Sequence, residues 1–145
     1  MKVIHHVFDL HAQPGKVWWA LTEPDGMAGW WSTRVRSDGA GIGSITHWTF
    51  ASDFNPIMKV TGLDEPVSLT WQCVGGHEPW QDNTFQFQFA ELDDGQTRVR
   101  FWQHYATELS DDAYGTYNFN WGYYLKSLRL LCVSGTGKPY QADPT

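Results

Sequence analysis

The sequence predicts an α+β domain: a curved antiparallel sheet of about six to seven strands wrapped around one long C-terminal helix, with two short helices after the first strand. Three observations carry that prediction. Residues 110–134 place apolar side chains at helical spacing over about 24 positions, roughly 36 Å at 1.5 Å per residue. Upstream, segments such as 67–74 and 84–92 alternate apolar and polar residues with period two, the pattern of strands with one solvated face. Pro14 and Pro24 each open a short helical segment directly after the first strand. A helix with one long apolar stripe must bury it, and the sheet is the surface on offer.

The elements follow in order. Residues 3–10 read as the first strand. Pro14 suits the first turn of a helix, where its missing N–H costs nothing, and Lys16 to Thr22 continues it with Val17, Trp18 and Leu21 at helical spacing. Pro24 opens a second helix through Trp31, which Gly26 and Gly29 weaken, so close packing must hold it. Residues 33–37 and 43–50 are strands separated by the turn Asp38-Gly39-Ala40-Gly41. In the latter strand the inner face is either Trp48 and Phe50 or Ile45, His47 and Thr49. Residues 57–63 form a strand ending near the turn Asp64-Glu65-Pro66.

In residues 67–74, Val67, Leu69, Trp71 and Cys73 share one face, and Ser68, Thr70 and Gln72 the other. In 84–92, Phe85, Phe87 and Phe89 oppose Gln86 and Gln88, and Asp93-Asp94-Gly95 makes a hairpin turn. The returning strand, 97–105, puts Val99, Phe101, Gln103 and Tyr105 on one face and Arg98, Arg100, Trp102 and His104 on the other. Ser110 is the N-cap of the last helix, with Asp111 and Asp112 complementing the dipole, and Gly135 is its C′ residue. Tyr114, Asn118, Trp121, Leu125, Leu128 and Cys132 form its stripe, with Tyr117 and Tyr124 beside it.

The chain has 145 residues, the size of one domain with one core, and residues 1–145 are read as such. Its net charge of −6, with ten scattered Lys and Arg, lacks the basic face that phosphates or anionic lipids require, so neither nucleic acid nor membrane is an expected partner. The first residues lack the apolar stretch of a signal peptide and no run approaches a membrane span, so a cytoplasmic protein is expected. Cys73 and Cys132, far apart and in no paired motif, read as two buried reduced thiols. Nine Trp, eight Phe and six Tyr are the anomaly, suited equally to filling a core and to lining a ligand site.

Several phrases together carry a family resemblance. They are Val17-Trp18-Trp19-Ala20-Leu21-Thr22-Glu23-Pro24 leading into Trp30-Trp31; Val60 and Leu63 before Pro66; Leu69-Thr70-Trp71; residues 97–101; and Trp121-Gly122 with Leu125, Leu128 and Gly135. In order and spacing, over nearly the whole chain, they resemble the START-like (SRPBCC, helix-grip) superfamily. Within it, the chain is similar to the small single-domain branch named after the activator of heat-shock-protein-90 ATPase. The resemblance implies the helix-grip fold and leaves the activity open, since fold does not fix function. Family members often carry an inward His two positions beyond the residue matching Phe101. Here Gln103 stands there and His104 follows, so either a bulge turns His104 inward or the pocket carries an amide. Eukaryotic activators of this kind carry an additional N-terminal chaperone-binding domain for which this chain leaves no room, so that activity is not carried over.

The six histidines, His5, His6, His11, His47, His77 and His104, and the two cysteines match no metal-site spacing, and no metal or cofactor is expected. Gly39-Ala40-Gly41-Ile42-Gly43 precedes a strand and so is no phosphate loop. Ser44 and Ser68 lack a nucleophile context. No catalytic residue is assigned. The inward faces should instead bring Trp71, Phe85, Phe87 and Phe101 towards Trp121, Tyr117 and Tyr124, with Trp31 and Trp48 or Phe50 closing one end. Gln103, Asn118 and the two tyrosine hydroxyls supply polar groups. Aromatic bulk gathers in the N-terminal half of the last helix, which favours a cavity there over solid packing. Residues 75–80 and 53–55 are candidate rims.

The expected function is binding of a small apolar or aromatic molecule between sheet and helix. One alternative is a small-molecule enzyme of cyclase or hydrolase type, with His104, Glu78, His77 and Tyr117 as acid–base candidates. Another is a protein-interaction or co-chaperone-like domain, which a patch of Trp19, Trp80 and Trp102 would mark, or a homodimer.

Overall fold

The chain runs β1 (Val3–Leu10), α1 (Pro14–Thr22), α2 (Pro24–Met27), β2 (Arg34–Ser37), β3 (Ile45–Thr49), β4 (Ile57–Asp64), β5 (Ser68–Gly75), β6 (Thr84–Glu91), β7 (Thr97–His104) and α3 (Asp111–Ser134). The structure, a computed structural model, describes residues 2–142, so Met1 and residues 143–145 of the expected domain lie outside the described residues. One sheet holds all seven strands in the order β1-β7-β6-β5-β4-β3-β2, every pairing antiparallel. Strands β2 to β7 are a simple meander. Strand β1 closes the far edge on β7, and α1 and α2 carry the chain between the two edges.

Register sets the inner face. Leu69 pairs with Phe87 and Phe87 with Phe101; Trp71 pairs with Phe85 and Phe85 with Gln103. These two rows cross the middle of the sheet beneath α3, and every side chain in them is buried. The third strand's parity is settled as Trp48 and Phe50 inward, at 1% and 8% exposure, with Ile45, His47 and Thr49 only half-buried. The ladder shifts register in β4, between Ile57 and Met58 and between Val60 and Gly62, and such irregularities bend a strand and increase its twist. Strand β7 is regular on both sides, so Gln103 points inward and His104 is exposed.

The helices follow their local chemistry. Ser110 Oγ accepts the Ala113 N–H at 3.1 Å, and Gly135 ends α3 at φ 88° with its N–H on the Leu131 carbonyl. The buried face of α3 is Trp121, Leu125, Ser127, Leu128, Leu131 and Cys132. The first two residues of the expected stripe do not press into the sheet: Asn118 is exposed and Tyr114 half-buried. Helix α2 is shorter than the expected run to Trp31. After Met27 the amides of both Trp30 and Trp31 return to the Met27 carbonyl, a tightening turn rather than a continued helix.

Two loops are locked to each other. The Asn55 N–H donates to the Gly76 carbonyl at 3.0 Å, and a Cβ on Gly76 (φ 82°) would lie 1.8 Å from the Asn55 carbonyl oxygen. Gly76→Ala should therefore destabilise the fold by about 3 kcal/mol or more, the sum of left-handed strain and overpacking. Denaturant titration reads this directly. A midpoint equal to that of the parent would show that the loops do not meet as described.

Cys73 and Cys132 are free and buried. Burial holds both thiols above the usual range, Cys132 up to about 12, with Lys16 offsetting part of the rise. Above pH 9 the unfolded chain therefore releases protons that the folded chain keeps, and unfolding free energy falls as pH rises from about 9 towards 12. Denaturation midpoints measured across that range should decline less steeply in Cys132→Ala. An unchanged slope would remove Cys132 from the account.

Candidate functional site

A cleft of about 270 Å³ opens between the first half of α3 and the loops at one end of the sheet. Helix positions Tyr117, Asn120, Trp121 and Tyr124 face it because spacings of three and four residues share one side of a helix. Phe50 and Ala51, directly after β3, and Phe54 in the same loop form the opposite lip. Trp31 follows α2, Trp80 closes the short 3-10 turn Glu78–Trp80, and Tyr140 lies on the C-terminal tail. That tail is held by the Tyr140 N–H on the Trp31 carbonyl and the Thr33 N–H on the Tyr140 carbonyl.

Three indoles make the floor, each almost fully buried. Trp121 lies 5.1 Å from Trp31 and 5.9 Å from Trp80, with interplanar angles of 28° and 11°. Trp121 also meets Phe101 at 4.5 Å. Its Nε1–H donates to Gln103 Oε1 at 2.8 Å. A second buried polar group lies alongside. Trp80 Nε1, Gln103 Nε2 and the Tyr105 hydroxyl make no hydrogen bond among the described residues. Burial pushes the Tyr105 phenol far up, although the Trp80 and Gln103 N–H groups near its oxygen act the other way.

One wall carries a bonded pair. His77, nearly buried, lies with Nδ1 3.1 Å from the Asp53 carbonyl oxygen and Nε2 2.7 Å from the Tyr117 hydroxyl. A carbonyl oxygen only accepts, so Nδ1 carries a proton, and in the neutral ring Nε2 accepts from Tyr117. Phe54 and Trp80 pack edge-on against the imidazole. Burial raises the Tyr117 phenol, with the Asp53 charge adding to it. Tyr124 is raised by burial first, then by Tyr123 and Tyr140.

Of the residues expected around a ligand, Trp31, Tyr117, Trp121 and Tyr124 line this cleft. Trp48, Trp71, Phe85, Phe87, Phe101 and Gln103 lie in the layer beneath, each at 3% exposure or less, packed ring against ring. Asn118 stands on the other side of α3, where its Oδ1 accepts from His6 Nε2 at 3.0 Å. There burial lowers the His6 pKa, and the Asn118 bond opposes this. Of the four acid–base candidates the structure joins only His77 and Tyr117; Glu78 and His104 are exposed. Trp19, Trp80 and Trp102 do not form one surface patch. Trp80 is buried, Trp102 stacks on His5 at 4.7 Å, and Trp19 lies under Lys16 Nζ.

Both expected rim loops border the cleft. Ala51, Asn120 and Tyr140 were not anticipated. Asn120 had a signal, lying three residues after Tyr117, whereas nothing in the tail sequence points to Tyr140. Among the described residues, no three His, Cys, Asp or Glu side chains come close enough to hold a metal ion, and no helix is long and apolar enough to cross a membrane.

Comparison with known proteins places this architecture. The solution structure of the Aha1 dimer from Colwellia psychrerythraea is 32% identical, with a TM-score of 0.82, covering 94% of this chain and 100% of that one. Protein MLL2253 from Mesorhizobium loti is 18% identical, with a TM-score of 0.73 and coverage of 90% and 96%. BH1534 from Bacillus halodurans is also 18% identical, with a TM-score of 0.71 and coverage of 91% and 97%. The latter two share the fold. A search of curated proteins finds no match. Residues 11–132 match the family model described as activator of Hsp90 ATPase homolog 1-like protein, and with the 32% identical Colwellia structure this shows that the chain belongs to that family, within the START-like fold.

Proposed function

We propose that this protein binds a small apolar or aromatic molecule in the cleft beside α3. The observation that supports it is the cleft itself: an opening of about 270 Å³ lined by the rings of eight aromatic residues, with an indole floor and few polar groups. Sites for small molecules have this character. A catalytic reading has one observation in its favour, the His77–Tyr117 pair, but the other partner of His77 is a backbone carbonyl rather than a carboxylate. Binding accounts for more of the site.

Ala51→Trp puts bulk into the cleft from its exposed lip, away from the core. Titration with mono- and bicyclic aromatic probes, followed by indole fluorescence, should show saturable binding to the parent. Affinity should fall at least about tenfold in Ala51→Trp, the scale of losing one buried ring's contact. Binding that is equally strong in a folded Ala51→Trp variant places the site elsewhere.

A second proposal concerns self-association. The 32% identical Colwellia protein is a dimer, and α3 turns Phe119 and Tyr123 outward at 78% and 51% exposure, one helical turn apart. We propose this ridge as a homodimer contact. Light scattering after size exclusion should report a dimer that Phe119→Glu converts to monomer. A parent that stays monomeric at high micromolar concentration, or a variant that stays dimeric, removes the ridge from that role.

A further inference from the structure

We infer that the cleft selects a neutral, flat ligand of one or two fused rings that carries a hydrogen-bond donor, a phenolic O–H or ring N–H, received by the Tyr117 oxygen. The inference rests on the cleft being a ligand site and names what that site prefers.

Size comes first. About 270 Å³ lies just below the usual range for ligand pockets, which suits a single small ring system and not a lipid chain or a large cofactor. Charge comes second. No Lys or Arg lines the cleft, and the Asp53 charge acts on Tyr117 from one side, so a carboxylate or phosphate on the ligand would find no counter-charge.

The third step is the direction of one hydrogen bond. The Asp53 carbonyl fixes the proton of His77 on Nδ1, which leaves the Nε2 lone pair facing Tyr117. The Tyr117 proton is thereby committed to His77. What the phenol still offers the cleft is oxygen lone pairs, and these accept. The other polar groups of the cleft do not discriminate in this way. Asn120 carries both a donor and an acceptor. The Tyr124 and Tyr140 hydroxyls are bonded to no protein group among the described residues, so their protons turn to suit either kind of partner. Tyr117 is the one hydroxyl in the cleft whose role is set before a ligand arrives.

The test uses two compounds of nearly equal shape, 2-naphthol and 2-fluoronaphthalene, titrated into the parent protein and into Tyr117→Phe with indole fluorescence as the readout. The variant keeps the ring and removes only the hydroxyl. Affinity for 2-naphthol should fall about five- to tenfold in Tyr117→Phe, the worth of one hydrogen bond. Affinity for 2-fluoronaphthalene should change less than about twofold. If both compounds weaken equally, or neither weakens, donor selection by Tyr117 is wrong while the cleft remains a binding site. If neither compound binds the parent protein, the cleft reading fails and this inference with it.

Discussion

The rest of the structure depends on how Trp121 is seated. It is the first fully buried residue of α3, and it lands on the row of inward side chains at the middle of the sheet. Its ring meets Phe101, Trp31, Trp80 and Phe85 within about 6 Å, and its N–H is satisfied by Gln103. Aromatic pairs contribute about 0.5–1.5 kcal/mol each beyond burial, and the hydrogen bond about 1 kcal/mol. The direction of the effect matters more than its size. C-terminal to Trp121, the residues Leu125, Leu128, Leu131 and Cys132 press into the core. N-terminal to it, Asn120 and Phe119 are exposed and Tyr117 is half-buried. Trp121 is thus the pivot at which α3 changes from lining the cleft to packing into the core.

The layer below that pivot is solid. Trp48, Trp71, Phe87 and Phe101 stand in a chain with successive ring centroids about 5–6 Å apart, and Phe85 packs on Trp80 and Trp121. The layer above is open for a local reason: the lip carries a small residue, Ala51, between Phe50 and Phe54. Side-chain bulk thus fills the floor and frames the opening. Aromatic content alone could not have separated these two uses of the same residue types, because both reward large flat side chains.

Much of this was legible from periodicity. The alternation in β5, β6 and β7 named the inner rows, and the caps at Ser110 and Gly135 bounded α3 correctly. What periodicity could not give is rotation about the helix axis. Tyr117, Asn118 and Tyr124 all sit near one stripe, yet Tyr117 and Tyr124 turn to the cleft while Asn118 turns to His6. The parity of β3 was illegible because both of its faces carry large side chains; contacts of Trp48 with Trp31 and Trp71 decide it. Gln103 against His104 was illegible for another reason. A bulge leaves a residue out of the ladder, and β7 is held by β6 on one side and β1 on the other, so the strand stays regular and the amide faces in. Tyr140 is placed by backbone bonds from the tail to residues 31–33, which leave no trace in side-chain pattern.

The chemistry of the cleft then follows from the backbone of two loops. Gly76 lets the chain come close enough to Asn55 for their main chains to bond. That approach carries His77, the next residue, to the Asp53 carbonyl two positions before Asn55. The carbonyl sets the tautomer of the imidazole, the tautomer sets which way the Tyr117 proton points, and the phenol oxygen is left to accept. None of these four links is a property of the fold. The sheet and helix supply the frame, whose architecture similar structures share, and an apolar floor. The polarity of the opening belongs to a glycine, a carbonyl, a histidine and a tyrosine contributed by three separate stretches of the chain. On the proposed binding reading, ligand preference should vary with the loops after β3 and β5, while the seating of Trp121 keeps the cleft itself in place.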